Sequence, residues 1–185
     1  MKKYLIIYKP FLLFLGKFLL TYLLLTFLYQ WYLGQFDFAA FETDTFTIFV
    51  ARQTETLLQF FHAEAWVMPN LTEAGMKLIY NQKYIARIVE GCNALSVIIL
   101  FISFVVAFTG KLKHTIGFIF FGSVLIHFLN ISRIAILGYL LFHFPAYEHV
   151  LHGVIFPLFI YGVVFILWII WVNKFSLYAE TTPEQ

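Results

Sequence analysis

Hydrophobic positions in this chain fall into long blocks, separated by one mixed segment. The first block runs from about Phe11 to Leu33 with Lys17 as its charge, and it ends in Tyr29-Gln30-Trp31-Tyr32. A helical membrane span needs about 20 mostly apolar residues. A cleavable signal peptide has an apolar core of about 7–15 residues followed by small ones. Residues 11–33 therefore predict a retained span with aromatic residues at the water interface. Later blocks predict spans over about 93–109, 115–137 and 153–172. The third block stays apolar to about Phe144, longer than one straight span requires, so a bend near Gly138 is expected before Pro145 ends it.

Segment 34–91 is too polar to span and too apolar to be a free linker. Within 44–61, Phe46, Phe49, Val50, Leu57, Leu58 and Phe61 recur at spacings near three and four, interleaved with Thr, Gln, Arg52 and Glu55. That pattern predicts an amphipathic helix, lying on the membrane surface or capping the bundle. Met76–Tyr80 and Tyr84–Val89 are rich in Tyr, Ile and Val and flank Asn81-Gln82-Lys83, which predicts a β-hairpin leading directly into Cys92. The expected fold is an all-α polytopic membrane protein of about four transmembrane helices, with an exported amphipathic helix and this hairpin. All 185 residues are expected to form one membrane domain.

Composition supports that class and excludes others. The chain is 62% hydrophobic and 12% charged, with a mean hydropathy of +0.85, far from the average soluble domain. Such apolarity excludes disorder. A net charge of +2 offers no basic stripe for nucleic acid. The single cysteine excludes an intrachain disulfide framework and any four-thiolate metal site.

Charge also gives an orientation. Lys2, Lys3, Lys9, Lys111, Lys113 and Lys174 fall on one side in short segments, whereas Arg52, Lys77, Lys83 and Arg87 are spread over the long segment 34–91. The bias of Lys and Arg toward the cytoplasm places both termini inside and exports 34–91.

This topology brings three reactive groups to one depth. At 1.5 Å per residue, Cys92 lies about 28 Å from Lys111, Arg133 about 30 Å from Lys113, and His152 about 33 Å from Lys174. Each of these distances is close to the roughly 30 Å thickness of the hydrocarbon core. A thiol, a guanidinium and an imidazole level with the outer boundary make a candidate active site. Cys92 is expected to open a helix, where backbone N–H groups favour a thiolate. An Arg inside a membrane faces protein or a wet cavity and is functional by default. Plainer roles are open to each: an apolar filler for Cys92, a snorkelling side chain for Arg133, and interfacial residues for His149 and His152.

The motifs around these residues, Glu90-Gly91-Cys92-Asn93-Ala94, Asn130-Ile131-Ser132-Arg133-Ile134 and His149-Val150-Leu151-His152-Gly153, resemble the ordered Cys, Arg and His motifs of the exosortase/archaeosortase family. The short length and aromatic-rich character resemble the exosortase F branch of Bacteroidota in particular. The resemblance covers about residues 76–172. It implies a sortase-like cysteine transpeptidase in the inner membrane, active at the periplasmic face. Its partners would be membrane-anchored proteins bearing a C-terminal sorting signal. It further implies Cys92 as nucleophile, Arg133 as the family's arginine and His152, with His149 as the alternative, as the third member. Asn130 would support Arg133, with Glu90 a further supporting residue. Family members often follow the cysteine with a small residue and then glycine, whereas this chain has Asn93-Ala94. It also has about half the spans of full-length exosortases, so the recognised motif does not carry over.

Two other readings stand beside this one. A non-catalytic assembly or scaffold protein would tolerate replacement of Cys92, Arg133 and both histidines. A haem or metal protein would draw on His127, His143, His149 and His152, but the acids are poorly placed for it. The sortase-like reading needs no cofactor and no metal.

Overall fold

The computed structural model describes residues 8–176. Three helical stretches, Lys9–Leu33, Leu112–His143 and Pro145–Phe175, are long and apolar enough to cross a membrane, and Leu95–Ala107 is a shorter apolar helix. The chain is thus a mostly helical, membrane-embedded protein.

Helix α1 (Lys9–Leu33) starts with a proline in its first turn, where the missing N–H costs nothing. It runs antiparallel to α3 (Leu95–Ala107). Phe14 meets Phe104 and Phe108 at one end, and Tyr29 meets Asn93 at the other. Lys17 gives its ammonium to Thr109 Oγ1 at 2.9 Å. Helix α4 (Leu112–His143) returns antiparallel to α3, and α5 (Phe156–Ile170) comes back again. Phe156 sits among Leu137 and Leu141, while Trp171 packs on Phe118.

Helix α3 is shorter than the span expected over 93–109. Its 13 residues rise only about 20 Å, less than a hydrocarbon core of about 30 Å. The start is delayed because Glu90–Cys92 forms a separate 3₁₀ turn and Ala94 takes a left-handed conformation (φ 63°) before Leu95. Cys92 therefore lies three residues before the first residue of the helix and does not open it.

Helix α4 outruns the predicted 115–137. Its 32 residues rise about 48 Å, so a good part of it projects beyond a membrane core. No break falls at Gly138, which lies inside an uninterrupted helix. Gly138 serves close approach instead: a Cβ there would lie 2.9 Å from Leu78 Cδ2. The projecting end of α4 is the floor on which the polar segment folds.

That segment contains α2 (Thr45–Phe60) and a three-stranded antiparallel sheet, β1 (Ala65–Pro69), β2 (Met76–Tyr80) and β3 (Lys83–Ile88), in the order β1-β2-β3. An all-α class is too narrow for this molecule. The hairpin turn is two residues, Asn81-Gln82, both at positive φ (48° and 61°). This matches the right-handed twist of the flanking strands. Lys83 already belongs to β3, one residue earlier than the sequence indicates.

Helix α2 is capped by Asp44, whose carboxylate accepts the Thr47 N–H at 2.9 Å. Its buried stripe is Thr47, Val50, Ala51, Thr54 and Leu58, while Phe49 and Phe61 are exposed. The inward face is offset from the most apolar positions because Thr54 satisfies its own hydroxyl on the Val50 carbonyl and Thr47 bonds Asn93. This stripe, the inner sheet face (Val67, Leu78, Ile88) and α4 (Ile131, Ile134, Ala135) share one core.

Candidate active site

Cys92 lies on the turn between the sheet and α3, and that turn is held from three sides. Asn93, only 1% exposed, donates from Nδ2 to Tyr29 Oη (3.2 Å) and to Thr47 Oγ1 (3.1 Å), while its Oδ1 accepts the Leu95 N–H (2.9 Å). The Tyr29 hydroxyl donates to Glu90 Oε1. Asn130, fully buried on α4, donates from Nδ2 to the Cys92 carbonyl at 2.7 Å. Helices α1, α2 and α4 thus each supply a polar side chain to one five-residue turn. Unsatisfied polar groups in an apolar surrounding cost several kcal/mol each, so these bonds fix the turn strongly.

Ala94 completes the turn. The left-handed conformation is one that glycine adopts freely and alanine does not.

A cavity of about 560 Å³ opens beside this turn. Its walls include Cys92 from the turn, Arg133, Ile134, Leu137 and Leu141 from α4, and Glu148 and His152 from the segment before α5. The opposite wall is the run Tyr84–Val89, with Glu73. Cys92, Arg133 and His152 therefore face one space, although three separate parts of the chain carry them. His149 does not line it. His152 sits on a π-helical turn, Leu151–Ile155, and His149 on the helical turn before it, Glu148–Val150.

Arg133 projects from α4 with its Nε buried and without a hydrogen-bond partner among the described residues. Cys92 and Tyr161 are both near enough to act on it electrostatically. Arg87, across the cavity, is neutralised by an ion pair with Glu73, whereas Arg133 makes no ion pair among the described residues, although Glu148 lines the same cavity. The expected support from Asn130 goes elsewhere: its amide holds the Cys92 carbonyl, and its Oδ1 has no described partner. Glu90 lies in the Cys92 turn and accepts from Tyr29.

His127 faces α2, bonded to Gln53 at 2.8 Å and stacked on Phe49. Among the described residues no cluster of three or more His, Cys, Asp or Glu is placed to hold a metal ion.

Sequence reasoning missed Tyr29 and Thr47 as holders of the turn, and it missed β3 as a cavity wall. Tyr29 reads as part of an aromatic belt, and nothing in its local sequence marks a partner 61 residues away. The chain has no match among protein-family models, curated proteins or solved structures.

Proposed function

We propose that this chain is a membrane-embedded, sortase-like cysteine transpeptidase or peptidase that cleaves C-terminal sorting signals of exported proteins. The observation that carries this reading is the shared cavity of Cys92, Arg133 and His152. In this reading the sheet and cavity face the periplasm, in keeping with the Lys and Arg bias of the loops. A membrane-anchored substrate reaches the site by lateral diffusion.

The Cys92 thiolate attacks the scissile carbonyl carbon and forms a C–S bond, pushing charge onto the carbonyl oxygen. Arg133 is the fixed positive charge available to that oxyanion in a site of low dielectric. Collapse of the intermediate breaks the C–N bond, and the His152 imidazolium gives its proton to the leaving amine. The thioester left on Cys92 divides the reaction into two easier steps. An incoming amine or water then bonds the acyl carbon through its nitrogen or oxygen and gives its proton to His152, and the C–S bond breaks to return the Cys92 thiolate. The hydrogen bond from Asn130 to the Cys92 carbonyl, and those of Asn93, hold the sulfur in place meanwhile.

Cys92→Ala is expected to abolish processing of a co-expressed sorting-signal protein, seen as loss of the shortened product on a blot, while the variant still accumulates in the membrane. Unchanged processing would overturn the proposal.

A further inference from the structure

The two edges of the small sheet are treated differently. On the β1 edge, α2 side chains occupy the outward main-chain groups. The Val67 N–H donates to Glu55 Oε1 (3.1 Å), Arg52 donates to the Val67 carbonyl (3.3 Å), and Gln59 donates to the Ala65 carbonyl (2.8 Å). That edge is closed. On the β3 edge no described side chain or backbone group occupies the outward positions.

Register identifies which groups these are. The two-residue turn makes Tyr80 and Lys83 a mutually hydrogen-bonded pair, so the next pair, Ile79 and Tyr84, is not bonded. Tyr84 therefore turns its N–H and C=O away from β2. A bulge at Leu78/Ile79 resets the ladder, and Arg87, opposite Lys77, turns outward in the same way. Both residues belong to the run Tyr84–Val89 that walls the cavity, and that run ends three residues before Cys92.

An unpaired edge is a template for another extended chain. From this we infer that the free edge of β3 binds the substrate as an added strand, an extended polypeptide of about five residues paired through its main chain and leading its scissile bond to Cys92. The inference rests on the reading of the cavity given above. The length follows from Tyr84–Val89, about 17 Å at roughly 3.3 Å per residue. Strand addition draws affinity from main-chain hydrogen bonds and selectivity from pockets for alternate side chains. Leu137 and Leu141 offer an apolar wall to one such side chain, and Arg133 offers a charge near the sulfur.

The test uses the full-length protein in lipid nanodiscs and a pool of N-acetylated, C-amidated hexapeptides of randomised sequence. Retention at equilibrium is read by mass spectrometry. Retained peptides are then remade with a single N-methyl group at each amide in turn. Strand addition predicts that N-methylation weakens retention about fivefold to tenfold at every second amide and little at the amides between, the scale of one main-chain hydrogen bond. Tyr84→Pro, which removes an outward N–H at an edge where proline is tolerated, is expected to weaken retention similarly, with Tyr84→Ala well above it. Absence of any retained peptide, or retention indifferent to N-methylation at all positions, overturns the inference. The intact mass of the protein reads the chemistry separately. Alternating retention without an acyl adduct on Cys92 supports the docking edge and counts against the cysteine mechanism. An adduct formed regardless of N-methylation does the opposite.

Discussion

The two ends of the helical bundle are built on opposite rules. At the end away from the sheet, Phe101, Val105, Ile126, Val164 and Trp171 make an apolar core with close helix contacts. Gly122 is there because a Cβ would lie 2.3 Å from the Phe101 ring. Trp171, fully buried, spends its indole N–H on the Phe108 carbonyl at 3.3 Å. At the sheet end, Asn93, Asn130, Tyr29, Thr47 and Glu90 bring polar groups inside, and the buried Arg133 Nε has no hydrogen-bond partner among the described residues. One end is specified by shape, which any well-filled apolar set satisfies. The other is specified by hydrogen bonds, which fail singly and at high cost. Departures from a uniform apolar interior concentrate where function is expected.

This contrast can be broken from either side, with two readouts on each variant: the thermal midpoint in detergent and the rate at which a maleimide labels Cys92. Phe101→Ala carries the largest expected stability loss, about 3–5 kcal/mol for an aromatic truncated in a packed core. The labelling rate should stay near that of the parent at temperatures where the variant is folded. A large change in labelling would show that the apolar end also sets the geometry of the turn. Asn93→Leu comes next. It strands Thr47 and the Leu95 N–H, at about 1–3 kcal/mol, and unlike Phe101→Ala it is expected to change Cys92 labelling severalfold. Tyr29→Phe removes one hydroxyl, costs about 1 kcal/mol, and should change labelling less than Asn93→Leu.

The sequence made the apolar end legible because hydrophobic blocks and their lengths are one-dimensional signals. Span α1 is predicted to within two residues, and α5 falls inside its predicted block. The polar end was legible in kind but not in detail. The hairpin is visible because Asn81 marks its turn, whereas β1 is hidden: Ala65–Pro69 is short, half exposed and ends in proline. Its pairing partners lie 7–15 residues away along the chain, and its closed edge depends on α2. The excess length of the third block suggests a break or bend near Gly138, whereas α4 runs from Leu112 to His143 without interruption. Gly138 instead lets Leu78, a neighbour in space that sequence does not name, approach the helix closely. Cys92, Arg133 and His152 stood out because charged and reactive groups are rare in such a chain. Sequence spacing does not distinguish His149 from His152, whereas in three dimensions His152 and not His149 lines the cavity with Cys92.

Ala94 joins the two ends, and substituting it gives the smallest expected effect and the sharpest boundary between them. Its backbone belongs to the Cys92 turn, in a conformation that costs an alanine about 1–2 kcal/mol. Its methyl, 5% exposed, belongs to the apolar cluster of Phe101 and Val105. Ala94→Gly relieves the first and forfeits the second, and glycine's extra unfolded-state freedom removes about 0.5–1 kcal/mol more. The net change should fall within about 1 kcal/mol of zero, with Cys92 labelling unaltered. Ala94→Val keeps an apolar contact but puts a β-branched residue at φ 63°, a genuine outlier, and should lose clearly more stability than the glycine variant. If valine were tolerated as well as glycine, the turn would be relaxing away from the left-handed conformation. The separate 3₁₀ turn that now divides Cys92 from α3 would then have no local cause.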